Sequence, residues 1–125
     1  NLDIWLDNLD PNIYYTNFNR EGNSNFALPL IMQPDYVNRF KHNDEYDSVC
    51  DILDLSHIEY RLGTAGGGNQ LNQPYLTEYD FKVIGSMRNV EYVHNNSLYI
   101  GNHTDLKEED ILDLCEKLNK INDYD

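Results

Sequence analysis

The segment "SLYIGNHTDLKEEDILDLCEKLNKI" (residues 97–121) joins a short apolar run to the clearest helical pattern in the chain. Residues 97–101 are predicted to form a short strand. From Asp105 to Ile121 the apolar residues recur at helical spacing, which predicts a helix with one buried face. Asp105 and Glu108 have the spacing of a capping box. The predicted buried stripe is Ile111, Leu114, Cys115, Leu118 and Ile121, and the predicted i,i+4 ion pairs are Asp113/Lys117 and Glu116/Lys120.

Patterns typical of helices and of strands alternate along the rest of the chain. This alternation predicts an α/β or α+β domain with two layers, a short sheet with helices packed on it. The predicted helices are residues 43–56, which Asn43 would cap, the single turn 73–77, which begins at Pro74, and residues 87–94. The predicted strands are residues 13–15, 26–32 and 58–62.

Two stretches near the amino end each contain a proline that limits their structure. Pro29 has no backbone N–H, so the strand at 26–32 is expected to lie at a sheet edge or to contain a bulge. Residues 1–12 stop at Asp10-Pro11, which indicates a connector or the end of a preceding helix. The domain itself is therefore expected to span residues 13–125.

Length and charge limit the classes of function that the chain can have. A chain of 125 residues with 40% hydrophobic residues is long enough for one modest core. Its net charge of −13 disfavours binding to nucleic acid or to anionic lipid. No apolar run approaches the roughly 18 to 20 residues that a membrane-spanning helix needs, so we expect a cytoplasmic protein without a membrane partner.

The cysteines and histidines do not have the spacing of a metal site. Cys50 and Cys115 fall at apolar positions of predicted helices, which favours buried free thiols over a disulfide or metal ligation. No two of the four histidines show a short metal-ligand spacing, so no metal site is predicted. No arrangement of Ser/His/Asp or Cys/His indicates a nucleophile, and no catalytic residue is predicted in this chain.

The loop "RLGTAGGGNQLNQPYL" (residues 61–76) combines three consecutive glycines with a guanidinium and several amides. It lacks the lysine of a phosphate-binding P-loop, and its composition alone favours a structural turn. The neighbouring side chains favour a binding role, because a planar cation and amides suit carboxylate, phosphate or sugar hydroxyl groups. These side chains are Arg61, Asn69, Gln70, Asn72 and Gln73.

His103 is the histidine with the clearest candidate role. It lies in Gly101-Asn102-His103-Thr104, just before the amino end of the last predicted helix, where free N–H groups and the helix dipole favour an anion. A solvated loop histidine is the alternative. The residues thus indicate groups for binding rather than groups for catalysis.

Two stretches resemble a known family: "IEYRLGTAGGGNQLNQPYL" (58–76) and "NVEYVHNNSLYIGNHTDLKEEDILDLCEKLNKI" (89–121). They resemble the carboxyl-terminal small domain of the DegT/StrS family of pyridoxal-phosphate-dependent nucleotide-sugar aminotransferases and dehydratases. The sharpest elements are I-E-x-R, G-N-x-x-x-Q-P and Y-I-G-N-H, and the resemblance extends over about residues 24–121. Within the family the chain is most similar to the GDP-4-keto-6-deoxymannose 3-dehydratases, because aminotransferases tend to carry a histidine where Leu71 stands.

The resemblance implies the small domain of a fold-type-I enzyme of deoxysugar or amino-sugar biosynthesis, as used for lipopolysaccharide O-antigen. It implies that pyridoxal or pyridoxamine phosphate is held by a separate large domain, through a lysine in the aminotransferases and beside a catalytic histidine in the dehydratases. The implied partners are that large domain, in the same or a separate chain, a nucleotide-sugar substrate, and a second subunit in a homodimer. The residues implied to line the substrate cleft are Arg61, Gly68, Asn69, Gln73, Asn102 and His103.

The resemblance also implies roles for three of these side chains. Arg61 would bind the glutamate carboxylate or a substrate phosphate, Asn69 a sugar hydroxyl, and His103 a polar group at the mouth of the last helix. Three alternatives stay open: a sugar aminotransferase of the same family, a stand-alone non-catalytic module that binds a nucleotide sugar, and a structural or interaction domain that keeps only the fold.

Overall fold

The computed structural model describes residues 1–39 and 45–121 of the chain. In these residues a three-stranded antiparallel sheet packs against helices, so the fold is α+β and the predicted layering of helices on a short sheet is confirmed. Three short 3₁₀ helices, Ala65–Gly67, Gln70–Asn72 and Pro74–Glu78, follow the second strand. The main elements in chain order are α1 (Leu2–Asn8), β1 (Ala27–Ile31), α2 (Pro34–Arg39), α3 (Glu45–Leu55), β2 (Tyr60–Leu62), α4 (Arg88–Asn96), β3 (Ser97–Gly101) and α5 (Glu108–Asn119).

The strand β3 lies at the centre of the sheet, between β1 and β2. Its residues Leu98 and Ile100 are almost fully buried, and Ile100 pairs in register with Leu28 on one side and Tyr60 on the other. Because side chains alternate along a strand, Tyr99 and its register partner Arg61 lie on the opposite face of the sheet. The sheet therefore has one core face and one face that is partly open.

The edge position predicted for the strand that contains Pro29 is confirmed. β1 is an outer strand, and Pro29 lies opposite Tyr99 of β3. An outer strand can include a residue without an N–H because part of its backbone faces away from the ladder.

The helices α1 and α5 pack against each other and complete the core. The whole stripe predicted for the last helix is buried, from Ile111 to Ile121. Asn119 joins the two helices, since its side chain accepts from the Asp10 N–H at 2.8 Å and donates to the Asn8 carbonyl at 2.8 Å. The first residues of the described chain thus belong to the same core as the last, with Trp5 and Leu9 buried in it.

The predicted capping of the last helix was wrong by two residues. The helix begins at Glu108, and the Lys107 N–H donates to the Asp110 carboxylate at 3.3 Å, in place of the predicted pair Asp105 and Glu108. Glu108 and Asp110 each lie three residues after a possible first cap residue. The structure uses Asp110, because the helix begins after Lys107. The two predicted ion pairs are confirmed, Lys117–Asp113 at 2.7 Å and Lys120–Glu116 at 2.5 Å.

The predicted strand at residues 13–15 was also wrong. The N–H groups of Ile13 and Tyr14 both donate to the Asp10 carbonyl, so the backbone continues the turn that follows α1. Tyr14 forms an isolated bridge with Met32. Ile13 and Tyr14 are both buried, which explains why this short apolar run has the pattern of a strand.

Other predicted elements agree with the structure apart from their ends. The strand at 97–101 is confirmed, the strand at 58–62 is shortened to β2, and α4 extends two residues beyond its predicted end. Pro74 begins the predicted helical turn, and α2 was missed. The predicted cap Asn43 lies outside the described residues.

Neither Cys50 nor Cys115 forms a disulfide, and the two differ in burial. Cys115 is buried, as predicted, and burial raises the pKa of its thiol to about 11. Cys50 is only half-buried. A thiol with so high a pKa is a poor nucleophile near neutral pH, so Cys115 has a packing role. Within the described residues no helix combines the length and the apolar character needed to cross a bilayer.

Replacing Tyr14 by phenylalanine is expected to destabilise the fold. The fully buried Tyr14 hydroxyl donates to the Leu118 carbonyl at 2.8 Å, and the variant would leave that carbonyl without this donor. We expect Tyr14→Phe to lower the free energy of unfolding by about 1 to 3 kcal/mol, measured by urea titration. Tyr15→Phe is the matched control, because the Tyr15 hydroxyl bonds locally to Asn17 at the surface. Equal losses in the two variants would contradict the prediction.

Candidate functional site

An open cleft of about 1070 Å³ lies beside β2, where the ends of β2 and β3 meet the segment that leads into α5. Arg61 of β2 and Tyr99 of β3 line it. They are register partners on neighbouring strands, so their side chains share the partly open face of the sheet. The exposed guanidinium of Arg61 is therefore available to a ligand in the cleft.

His103 lines the same cleft from the turn that follows β3. The turn is held by Asn102, whose side chain accepts from the Trp5 indole N–H at 3.1 Å and donates to the Asn25 carbonyl at 2.9 Å. The His103 ring folds back over Gly101, since a Cβ on Gly101 would lie 3.0 Å from its Nε2. Asn102 is thus a support for His103, with both ends of its amide already bonded within the protein.

Two acidic and two further titratable side chains complete the polar lining of the cleft. Asp54 and Glu59 supply carboxylates, and His57 supplies a second imidazole from a backbone with a φ of 56°. The Tyr60 hydroxyl donates to Asp54 at 3.4 Å. The hydrogen bond with Cys50, followed by burial, raises the pKa of Tyr60 to about 12, so its hydroxyl keeps its proton and remains a donor near neutral pH.

These groups favour a ligand that is rich in hydroxyls and carries one anionic group. A guanidinium can bind a phosphate or carboxylate through two parallel hydrogen bonds. Imidazoles and carboxylates accept from hydroxyls, and the ring of Tyr99, on the same face of the sheet as Arg61, can cover a flat or ring-shaped ligand.

The described lining of this cleft does not fit pyridoxal phosphate. A Schiff base needs a lysine amine, and none of the described residues along the cleft is a lysine. No step of cofactor chemistry is therefore assigned to these residues. In the described part of the chain, no group of three or more His, Cys, Asp or Glu could hold a metal ion.

The glycine-rich loop lies against α4 and does not line the cleft. Asn69 is only 4% exposed, and its side chain accepts from the Leu71 N–H at 3.2 Å and donates to Glu91 at 2.6 Å. Gln73 donates to the Gly67 carbonyl at 2.6 Å. The amides that composition suggested for a ligand are thus used inside the protein.

Glu91 of α4 receives hydrogen bonds from three asparagine amides. Asn69 donates at 2.6 Å, Asn72 at 3.0 Å and Asn95 at 3.2 Å. The hydrogen bond from Asn69, then those from Asn72 and Asn95, lower the pKa of the Glu91 carboxyl. Sequence analysis did not identify Glu91, although Asn95 at i+4 was a local signal.

His94 also holds the loop, because its Nδ1 accepts the Asn69 N–H at 2.9 Å. The loop backbone comes so close that a Cβ on Gly68 would collide with the His94 ring and with the Gly63 carbonyl. Gly68 also has a φ of 56°, in the left-handed region. Glycine is therefore required at this position on two grounds.

The six predicted cleft residues fall into three groups. Arg61 and His103 meet at the cleft, and Asn102 supports His103. The remaining three, Gly68, Asn69 and Gln73, hold the glycine loop against α4. Of the additional lining residues, Tyr99 follows from the register of β2 with β3, whereas His57 lies outside both strands and no sequence pattern places it at the cleft. His42 lies outside the described residues.

Comparisons with known proteins add no relative to this picture. The chain matches no protein-family model, no curated protein and no solved structure.

Substitution of Gly68 is expected to cost more than substitution of its neighbour Gly66. Both have positive φ, but a Cβ on Gly66 would meet open space. Gly66→Ala should cost about 1 kcal/mol from backbone strain alone, and Gly68→Ala a further 1 to 3 kcal/mol or so from the collision with His94. Urea unfolding of the two variants measures the difference. Equal stabilities would show that the loop does not pack on His94 as described.

Glu91→Gln is expected to change the dependence of stability on pH. The folded state lowers the pKa of this carboxyl, so the stabilisation is present above the unfolded pKa of about 4.3 and is lost as pH falls through the folded value. Wild type should therefore exceed the variant in urea midpoint at pH 7 or so, and the two should converge below about pH 4.

Glu78→Gln serves as the control for this comparison. The Glu78 side chain is exposed and forms no hydrogen bond or ion pair with residues 1–39 or 45–121. Its variant should follow the wild-type curve over the whole pH range. A constant offset between wild type and Glu91→Gln at every pH would contradict the charged role of Glu91.

Proposed function

We propose that this chain is the carboxyl-terminal small domain of a pyridoxal-phosphate-dependent enzyme of nucleotide-sugar biosynthesis. Within the DegT/StrS family, the proposed reaction of the complete enzyme is the 3-dehydration of a 4-keto-6-deoxyhexose. Sugar transamination is the alternative within the same family. The chain contributes residues to the substrate cleft and leaves the cofactor to a large domain.

The observation that carries the proposal is the convergence of Arg61 and His103 on one open cleft. These residues belong to the I-E-x-R and Y-I-G-N-H elements, which lie more than 40 positions apart in sequence. Both elements were singled out by resemblance as parts of the substrate cleft. The α+β architecture, with a short antiparallel sheet covered by helices on one face, is compatible with that small domain.

The proposed role of the chain is to orient the substrate. Arg61 would bind a substrate phosphate, or the glutamate carboxylate if the enzyme transaminates. His103 would bind a polar group of the substrate beside the mouth of α5. When bound in the large domain, the cofactor supplies the electron sink for the reaction. Orientation alone can lower a barrier by several kcal/mol, up to about 7 to 11.

The proposal includes the partners and the compartment of the complete enzyme. The partners are the large domain, a nucleotide-sugar substrate and a second subunit in a homodimer, and the compartment is the cytoplasm. A stand-alone module that binds a nucleotide sugar is the second candidate. It is favoured by one observation, that the described lining of the cleft has polar groups suited to binding and includes no lysine that could hold the cofactor.

The first test is a nuclear magnetic resonance titration of the chain with a GDP-sugar. Amide signals of residues 57–61 and 99–106, which border the cleft, should shift. Arg61→Ala should weaken binding about tenfold or more, because a charge-assisted hydrogen bond contributes roughly 1.5 to 3 kcal/mol. The control is Arg88→Ala, which removes the same charge from the exposed start of α4 and should leave the affinity unchanged.

Two outcomes would contradict a substrate cleft at this place. Equal weakening by the two arginine variants would indicate a general charge effect, and shifts confined to residues 65–72 would locate the ligand on the glycine loop. Mixing the chain with a cofactor-loaded large domain then separates the candidates. Restored turnover supports the enzyme domain, with a 3-deoxy product for the dehydratase and an amino sugar for the alternative. Binding without turnover supports the module.

A further inference from the structure

Residues 79–84, here called the arm, lie on the surface between the last 3₁₀ helix and α4 and have no regular secondary structure. The exposed fractions of Tyr79, Phe81 and Val83 are 67%, 51% and 45%. Among the described residues, none of the backbone hydrogen bonds involves residues 80–84. The arm therefore has both apolar side chains and backbone groups available to a partner.

The side chains of the arm alternate as they do in a β-strand. Tyr79, Phe81 and Val83 are apolar, and the two residues between them, Asp80 and Lys82, carry opposite charges. In an extended segment these two sets lie on opposite faces. Asp80 and Lys82 form no ion pair with any other residue in the described part of the chain. Their charges are thus free to meet charges on another molecule.

The stretch of sequence around the arm carries no net charge. Between positions 62 and 88 there are two acidic residues, Glu78 and Asp80, and two basic residues, Lys82 and Arg88, so this stretch is neutral. The chain as a whole has a net charge of −13, which therefore lies outside this stretch. Two copies repel each other over most of their surfaces and least here.

We propose that the arm pairs with the arm of a second copy as an antiparallel two-stranded ribbon, with a two-fold axis at Phe81. In this register Asp80 of each copy lies opposite Lys82 of the other, which makes two complementary charge pairs on one face. Tyr79 lies opposite Val83 and Phe81 opposite itself, so the other face is entirely apolar. A two-fold contact uses the same surface on both copies, as this pattern requires.

The order of the two charges along the arm favours the antiparallel ribbon over a parallel one. A parallel in-register ribbon would align Asp80 with Asp80 and Lys82 with Lys82, which is repulsive. A ribbon of two strands is only marginally stable by itself. Val90 and Val93 on α4, the next helix in the chain, also expose apolar side chains.

The inference goes beyond the proposed enzyme domain, because it assigns a contact between two copies to the arm and uses no residue of the cleft. The test is sedimentation of the chain and of three variants, Asp80→Lys, Lys82→Asp and the double exchange, over a range of concentrations. Each single variant places like charges opposite each other twice, so the dimer dissociation constant should rise about tenfold. The double exchange restores opposite charges and should restore the wild-type value to within about threefold.

The net charges of the variants distinguish charge pairing at the arm from general electrostatic repulsion between copies. Asp80→Lys makes the chain less negative and Lys82→Asp makes it more negative, whereas the double exchange keeps the wild-type charge. A general repulsion would strengthen the dimer in the first variant and weaken it in the second. Opposite effects of this kind, a double exchange that fails to recover, or a wild type that stays monomeric at about 0.5 mM would each overturn the proposal. Circular dichroism checks that all four proteins are folded.

Discussion

The pairing of β3 with a strand on each side is the interaction on which the structure depends. Leu98 and Ile100 are buried between the sheet and its helices, and the register of β3 decides which side chains lie on the opposite face. A slip of one residue would turn these two apolar side chains outward and bring Tyr99 into the core. The same register aligns Arg61 with Tyr99, so the geometry of the cleft follows directly from the burial of the core.

The contrast between the cleft and the glycine loop shows how similar residues acquire different roles. Both contain polar side chains that suit a hydroxylated ligand. In the loop the amides of Asn69 and Asn72 are bonded to Glu91, and His94 accepts the Asn69 N–H. In the cleft Arg61 remains exposed. Whether a polar side chain can bind a ligand therefore depends on the neighbouring element. The helix α4 offers acceptors to the loop, whereas no element covers Arg61 in the described structure.

Sequence patterns correctly predicted the elements that are determined by residues close together in the chain. The helical stripe of α5, the central strand and Pro29 at a sheet edge all follow from periodicity or from the missing N–H of proline. The predictions failed where a distant or competing hydrogen bond decides, as at Asp10, which takes the N–H groups of residues 13 and 14, and at Asp110, which replaces the expected cap. Arg61 and His103 could be identified as candidates from their motifs. The role of Glu91 could not, because its hydrogen bonds come from the amides of Asn72 and Asn69, which lie 19 and 22 positions away.

The bonds of Asn119 tie together segments that are 109 and 111 positions apart. Bringing such distant segments into contact carries a large loop-closure entropy, which is recovered only after the intervening sheet has formed. We therefore expect the docking of α1 on α5 to be a late event in folding. In the native state, the release of either helix removes the buried surface that the other needs, so the two helices form one cooperative unit whose amides become accessible to solvent together.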